Sequence, residues 1–144
     1  MRKLIVIALM ALLAGHAYAG QTQVEIIPTE RLTGVSDRIE ADRNIADAER
    51  VTFFVTYDQD GTTVGVTSTV TVAVSVDGTN WQDISWFDVA GGVTPQTSEE
   101  LTTDTTYVGW LDSRITAKYI RIAVKSSGAV GENADVSVTL VEKK

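Results

Sequence analysis

The feature that most constrains this chain is a period-two alternation of β-branched side chains. Between positions 66 and 76, Val70, Val72, Val74 and Val76 share one parity, while Thr67, Thr69, Thr71, Ala73 and Ser75 share the other. Successive side chains of an extended chain point to opposite faces, so this pattern specifies a strand with one face in a core. The same rule gives a strand over 51–57, with Val51, Phe53, Val55 and Tyr57 on one face and Thr52, Phe54 and Thr56 on the other. A third spans 119–125, with Ile120, Ile122 and Val124 inward and Arg121 and Lys125 outward. A fourth spans 134–142, burying Ala134, Val136, Val138 and Leu140. Shorter strands are expected over 24–27, 81–89 and 105–110.

Turn chemistry separates these segments at Asp58-Gln59-Asp60-Gly61, Asp77-Gly78-Thr79-Asn80, Gly91-Gly92, Ser126-Ser127-Gly128 and Gly131-Glu132-Asn133. About seven or eight strands at this spacing predict an all-β, two-sheet antiparallel sandwich, jelly-roll-like in its connections. Composition agrees: valine and threonine supply 18 and 19 of the 125 residues after position 19, and both suit a pleated surface. Two stretches depart from the pattern. Residues 37–50 are rich in charge and alanine, and Ser36, Asp37 and Glu40 resemble a helix start. Their apolar Ile39 and Ile45 are spaced six apart and make no helical stripe, so a crossing loop with at most a short helix is expected. Residues 93–104, with Pro95, Glu99 and Glu100, read as a long exposed loop.

Residues 1–19 have the three parts of a signal peptide: Arg2 and Lys3, an apolar run from position 4 to 14, and Ala17-x-Ala19 before the cut. That run is shorter than the roughly 20 residues needed to span hydrocarbon. The expectation is a secreted protein, extracellular or periplasmic, with no membrane anchor and one domain over 20–144. Without cysteine, its stability rests on burial and hydrogen bonding. The processed chain keeps 10 basic and 19 acidic groups, a net charge of 10 − 19 = −9. Such a field disfavours nucleic acid and anionic membranes as partners.

Two strings resemble a known family. Val72-Ala73-Val74-Ser75-Val76-Asp77-Gly78-Thr79-Asn80-Trp81 and Ala117-Lys118-Tyr119-Ile120-Arg121-Ile122 are similar to the strand, turn, tryptophan and penultimate strand of the coagulation-factor type C (discoidin) family. That family belongs with the wider galactose-binding-like sandwiches, and similar strings occur in phage structural and attachment sandwiches. The likeness runs from Thr69 to Leu140 and implies the sandwich fold. The family's ligand loops do not transfer, because the N-terminal half lacks its tryptophan-containing segment and its cysteine pair.

Catalysis is largely excluded. The only histidine, His16, lies in the leader, so no imidazole or thiolate remains for a triad or a zinc site. A glycosidase pair could be drawn only from Glu99 or Glu100 with Asp83 or Asp88, and a solvated acidic surface explains these residues more simply. Asp58-x-Asp60-Gly61 opens like a calcium loop but lacks the later ligands, so no metal and no cofactor is expected. Arg114, Lys118, Arg121 and Lys125 form a local basic cluster that either takes an anion or protects a strand surface.

Aromatic residues carry the binding expectation, because sugar rings stack on Trp and Tyr beside hydrogen-bonding groups. Trp81 is assigned to the core. Trp86 and Phe87 point to opposite faces, and Trp110 lies near Tyr107 and a polar loop. The expected function is therefore a non-catalytic recognition or attachment module that binds surface glycan or a similar polymer through Trp110, Tyr107 and Trp86. The alternative is a structural subunit of an extracellular filament or virion-like assembly. In that reading the strand 21–27, ended by Pro28, pairs with a neighbouring subunit.

Overall fold

The computed structural model describes residues 20–33, 38–59, 67–89, 94–111, 116–126 and 133–144. The leader, Asp60-Gly61, Gly91-Gly92, Arg114 and the glycines at 128 and 131 lie outside the described residues.

Among the described residues, eleven strands form two antiparallel sheets. They are β1 Gln21–Thr33, β2 Arg38–Asn44, β3 Arg50–Gln59, β4 Ser68–Ser75, β5 Gln82–Asp83, β6 Trp86–Asp88, β7 Pro95–Gln96, β8 Glu99–Leu101, β9 Thr105–Leu111, β10 Tyr119–Ser126 and β11 Asn133–Lys143. One sheet has six strands in the order β1-β11-β3-β9-β6-β7; the other has five, β2-β10-β4-β5 with β8 also on β4. Most connections cross from one sheet to the other. The two-sheet all-β sandwich expected from alternation is therefore present, with more strands than the long runs suggested because β5, β6, β7 and β8 are only two or three residues long.

The core is where the inner faces meet. Phe53, Val55, Val70, Ile120, Ile122, Val124, Val136, Val138 and Leu140 are fully buried on the parities read from the sequence. Each such side chain contributes about 1.5–3 kcal/mol when withdrawn from water. The parity fails at one end: β4 stops at Ser75, and Val76 beyond it is 63% exposed.

Three local expectations need correction. Residues 38–44 form β2, an edge strand fully paired with β10, instead of a crossing loop or helix. Its inward side chains, Ile39, Ala41 and Arg43, do alternate with outward Arg38, Glu40 and Asp42, but alanine and charge are weak strand formers and hide the pattern. Pro28 does not end the first strand. It sits inside β1 within the register shift between Ile27 and Glu30, where an edge strand tolerates a residue without an N–H. The expected loop over 93–104 contains β7 and β8.

The turn after β4 explains one of the family-like strings. Asp77 Oδ1 accepts the backbone N–H of Thr79 and of Asn80, both at 2.8 Å, and Ser75 Oγ donates to it at 2.9 Å. Gly78 takes φ +76° there, a conformation costly to residues with a Cβ. The string is a turn-building device.

Candidate functional site

The six-stranded sheet has an outer face, and its composition follows from the parity opposite to the core. Register places Phe87, Trp110, Thr52, Val141 and Gln23 in one row across β6, β9, β3, β11 and β1. Two residues along the strands, Val108, Phe54, Thr139 and Glu25 form the next row. Five strands at about 4.8 Å spacing make the first row roughly 19 Å long. Apart from Gln23 and Glu25, these residues are half-buried. The face is a flat mixture of rings, aliphatic side chains and threonine hydroxyls.

Trp110 stands second in the first row, between Phe87 and Thr52. The Phe87 ring stacks on it with centroids 4.6 Å apart and planes at 21°. Arg50, on the strand at the other side of β9, lies with its guanidinium 5.6 Å from the indole centroid. That is near the outer limit of about 6 Å for a cation–π contact. Arg50 is exposed and can move aside.

The three ring-bearing residues expected to bind ligand are therefore not together. Trp110 is on the outer face. Trp86 is 0% exposed and Tyr107 is 7% exposed, so both belong to the core and neither offers a ring to a surface ligand. Their indole and phenol meet inside, where Trp86 Nε1 donates to the Tyr107 hydroxyl at 2.9 Å. Phe53 packs edge-on against Trp86 and tilted against Tyr107, at 5.9 and 6.1 Å. Gly109 makes room for this cluster: a Cβ there would stand 2.2 Å from Phe53 Cζ and 2.8 Å from Trp86 Cδ1. The outer-face partners that the expectation left out are Phe87 and Phe54. Both carried the right parity signal.

A cleft of about 310 Å³ adjoins the face, lined by Asp88, Glu99, Thr105, Thr106, Tyr107 and Val108. Beside it the Val89 N–H donates to the Val108 carbonyl at 3.1 Å. The Gln96 side-chain amide bridges the Tyr107 hydroxyl and Glu99 Oε2, the latter at 3.1 Å. Burial pushes the Tyr107 phenol up to about 12, and the charges of Asp88 and Glu99 add to the rise. Of the four carboxylates weighed for hydrolysis, Asp88 and Glu99 share this cleft. Asp83 and Glu100 pair with Ala73 and Thr69 of β4, as Glu99 does with Val70, but do not line the cleft.

Within the basic cluster, Arg121 is already paired. Arg121 donates to both carboxylate oxygens of Asp42, at 2.6 and 2.9 Å, and lies 3.6 Å from Glu40. Its guanidinium also covers the Trp81 ring at 4.1 Å. Trp81 is thus half-buried on the outer face of the five-stranded sheet, not in the core as expected. Among the described residues no group of three His, Cys, Asp or Glu could hold a metal ion. Asp58 and Gln59 are described, but Asp60 and Gly61 of the calcium-like string are not.

The fold is a two-sheet β-sandwich with an aromatic outer face on its six-stranded sheet. No family model matches the chain, the discoidin family included, and no curated protein matches it. Among solved structures, the SPBc2 prophage-derived protein YomS is similar, with TM-score 0.54 and 11% identity over 90% of this chain and 99% of that one. The CBM22-1-GH10 modules of Clostridium thermocellum xylanase 10B, complexed with xylohexaose, overlay with TM-score 0.45 and 12% identity, over 87% of this chain and 26% of that one. A protein from Bacillus endospore appendages, described as disulfide-linked pili, gives TM-score 0.37 and 14% identity over 89% and 96%. The first likeness concerns the fold alone. The other two are looser overlays and carry no weight for function.

Proposed function

We propose that this chain is a non-catalytic recognition module that binds a saccharide polymer across the outer face of its six-stranded sheet. The observation that carries the reading is the row of Phe87 and Trp110, with Phe54 in the next row, set among the hydroxyls of Thr52 and Thr139. Aromatic surface beside hydroxyl groups matches a pyranose, which is apolar on its C–H faces and polar at its rim. A row of roughly 19 Å suits an extended chain better than a single small ligand. Trp110 is the principal contact, and a sugar ring takes the side of the indole that Arg50 now covers. Trp86 and Tyr107 act from behind, fixing β9 and β6 in register.

Retention on a panel of immobilised neutral polysaccharides tests this. Wild type is retained, Trp110→Ala and Phe54→Ala lose retention while keeping a cooperative melt, and Arg50→Ala binds at least as well as wild type. Failure of every polysaccharide to retain the wild-type protein refutes the proposal.

The assembly reading has one observation in its favour: β1 is a 13-residue edge strand. To join a neighbour it must first leave its register with β11, from Gln21↔Lys143 to Thr33↔Asn133. Electron microscopy of concentrated protein decides it. Ordered polymers lost on trimming residues 20–27 support assembly, and monomers at all concentrations remove it.

A further inference from the structure

We propose that the bound polymer is an acidic polysaccharide, and that Arg50 and Lys143, at one end of the aromatic face, take the carboxylate of a sugar stacked at Trp110. The inference rests on the saccharide reading above and adds the charge class of the ligand. Register sets Arg50, Lys143 and Gln21 side by side across β3, β11 and β1. They belong to the outer face, because Thr52 and Val141, two positions along from Arg50 and Lys143, stand in the row of Trp110. Two strand residues separate these rows by about 7 Å. A chain stacked on Trp110 therefore carries its ring substituents over the cations.

The arrangement works against the fold. Arg50 and Lys143 are directly opposite in an antiparallel pair, which sets their Cβ atoms about 5 Å apart and opposes like charges. Neither has an ion-pair partner among the described residues, where Arg38, Arg43 and Arg121 take Glu40, Asp42 and Glu142. Glu142 follows the opposite parity to Lys143 and is buried against Arg43. On the outer face, Glu25 lies opposite Thr139, four positions from Lys143, or about 14 Å along the strand. The chain is acidic as a whole, but screening over about 8 Å in physiological salt leaves the two cations to govern their own corner. Arg50 rests on the Trp110 indole. A sugar taking that side of the ring displaces the guanidinium and frees its N–H fork, which matches a carboxylate, beside the Lys143 ammonium. One carboxylate then offsets both the lost ring contact and the like-charge opposition.

The test compares the affinity of wild type for polygalacturonate, polyglucuronate and alginate, each beside the same polymer with its carboxylates methyl-esterified. At least one acidic polymer is expected to bind tenfold or more tightly than its ester. The ratio should shrink severalfold in 0.5 M salt, where the screening length is roughly 4 Å. Arg50→Gln and Lys143→Gln should each bring it towards one. Lys125→Gln, which removes a positive charge from the outer face of the other sheet, should leave it unmoved. Lys143→Gln should also melt no lower than wild type, because it relieves the like-charge pair, and a lower melting temperature refutes that account. Acidic polymers that bind no better than their esters in all three pairs overturn the proposal, as does a ratio that Lys125→Gln lowers as much as Lys143→Gln. Acidic binding that survives Trp110→Ala in full is charge attraction alone and overturns it too. If neutral polymers or esters are retained without an acidic preference, the polymer reading stands alone. If no polymer is retained, both fall.

Discussion

Gly109→Ala offers a direct test of how the core positions the aromatic face. The added Cβ would lie 2.2 Å from Phe53 Cζ, 2.7 Å from Phe53 Cε1 and 2.8 Å from Trp86 Cδ1. All three approaches are well inside van der Waals contact. Both rings are 0% exposed, and Trp86 is further fixed by its bond to Tyr107, so neither can swing into solvent. Overpacking a tight core costs about 1–3 kcal/mol, and three simultaneous clashes put this site at about 3 kcal/mol. For a domain of this size that lowers the melting temperature by about 12 °C, at about 4 °C per kcal/mol. Calorimetry measures it. Phe53→Leu removes the clashing ring edge at a cavity cost of roughly 1–2 kcal/mol. The double variant Gly109→Ala/Phe53→Leu is therefore expected to be at least about 1 kcal/mol more stable than the sum of the singles, as contacting residues couple. A loss under 3 °C in Gly109→Ala, or strict additivity in the pair, would refute the account of β9.

Other expectations follow from the same contacts. Unfolded tyrosine loses its proton near pH 10, whereas Tyr107 in the fold holds it to about 12. The folded state thus binds more protons in that window, and stability falls as pH rises through it. Urea midpoints at pH 9 to 11 should fall less steeply in Tyr107→Phe than in wild type, and equal slopes would contradict the assignment. Backbone and side-chain N–H groups of Asn80 and Thr79, with Ser75, hold the Asp77 carboxyl well below the usual carboxylate range. Its turn-closing contribution is complete above about pH 4 and survives until pH falls well below that, so its ¹³C carboxyl resonance should still be in the ionised position at pH 3. Arg43 Nε meets Glu142 Oε1 at 2.8 Å, bridging the two sheets, with the Glu142 side chain 4% exposed. Arg43→Ala strands that carboxylate; breaking a buried pair costs about 3–5 kcal/mol, reduced here to about 2 because Arg43 is partly open to water. Arg43→Met/Glu142→Leu should recover most of the loss, and a denaturant midpoint unchanged in the single variant would refute the role.

What the sequence showed depended on how strongly each strand feels the core. Val51 to Tyr57 and Ala134 to Leu140 run through the centre of the six-stranded sheet and are buried on one side, so their hydrophobic parity was legible in full. β2 is an edge strand whose inward positions include Ala41 and Arg43, and a core that needs little from it leaves little pattern. Pairings such as Arg43 with Glu142 and Arg121 with Trp81 join positions 99 and 40 residues apart, and no local rule reaches that far. The outer face is different, because the same parity rule marks it. Tyr107 and Trp110 lie three positions apart, an odd step, so one strand turns their rings to opposite faces. The parity that puts Tyr107, Gly109 and Leu111 in the core also puts Val108 and Trp110 outside, where Phe54 and Phe87 stand by the same count. Nearness along the chain groups Tyr107 with Trp110 and leaves open which ring of the adjacent Trp86 and Phe87 faces outward. Grouping them by face selects Trp110, Phe87 and Phe54, the set on which binding should depend.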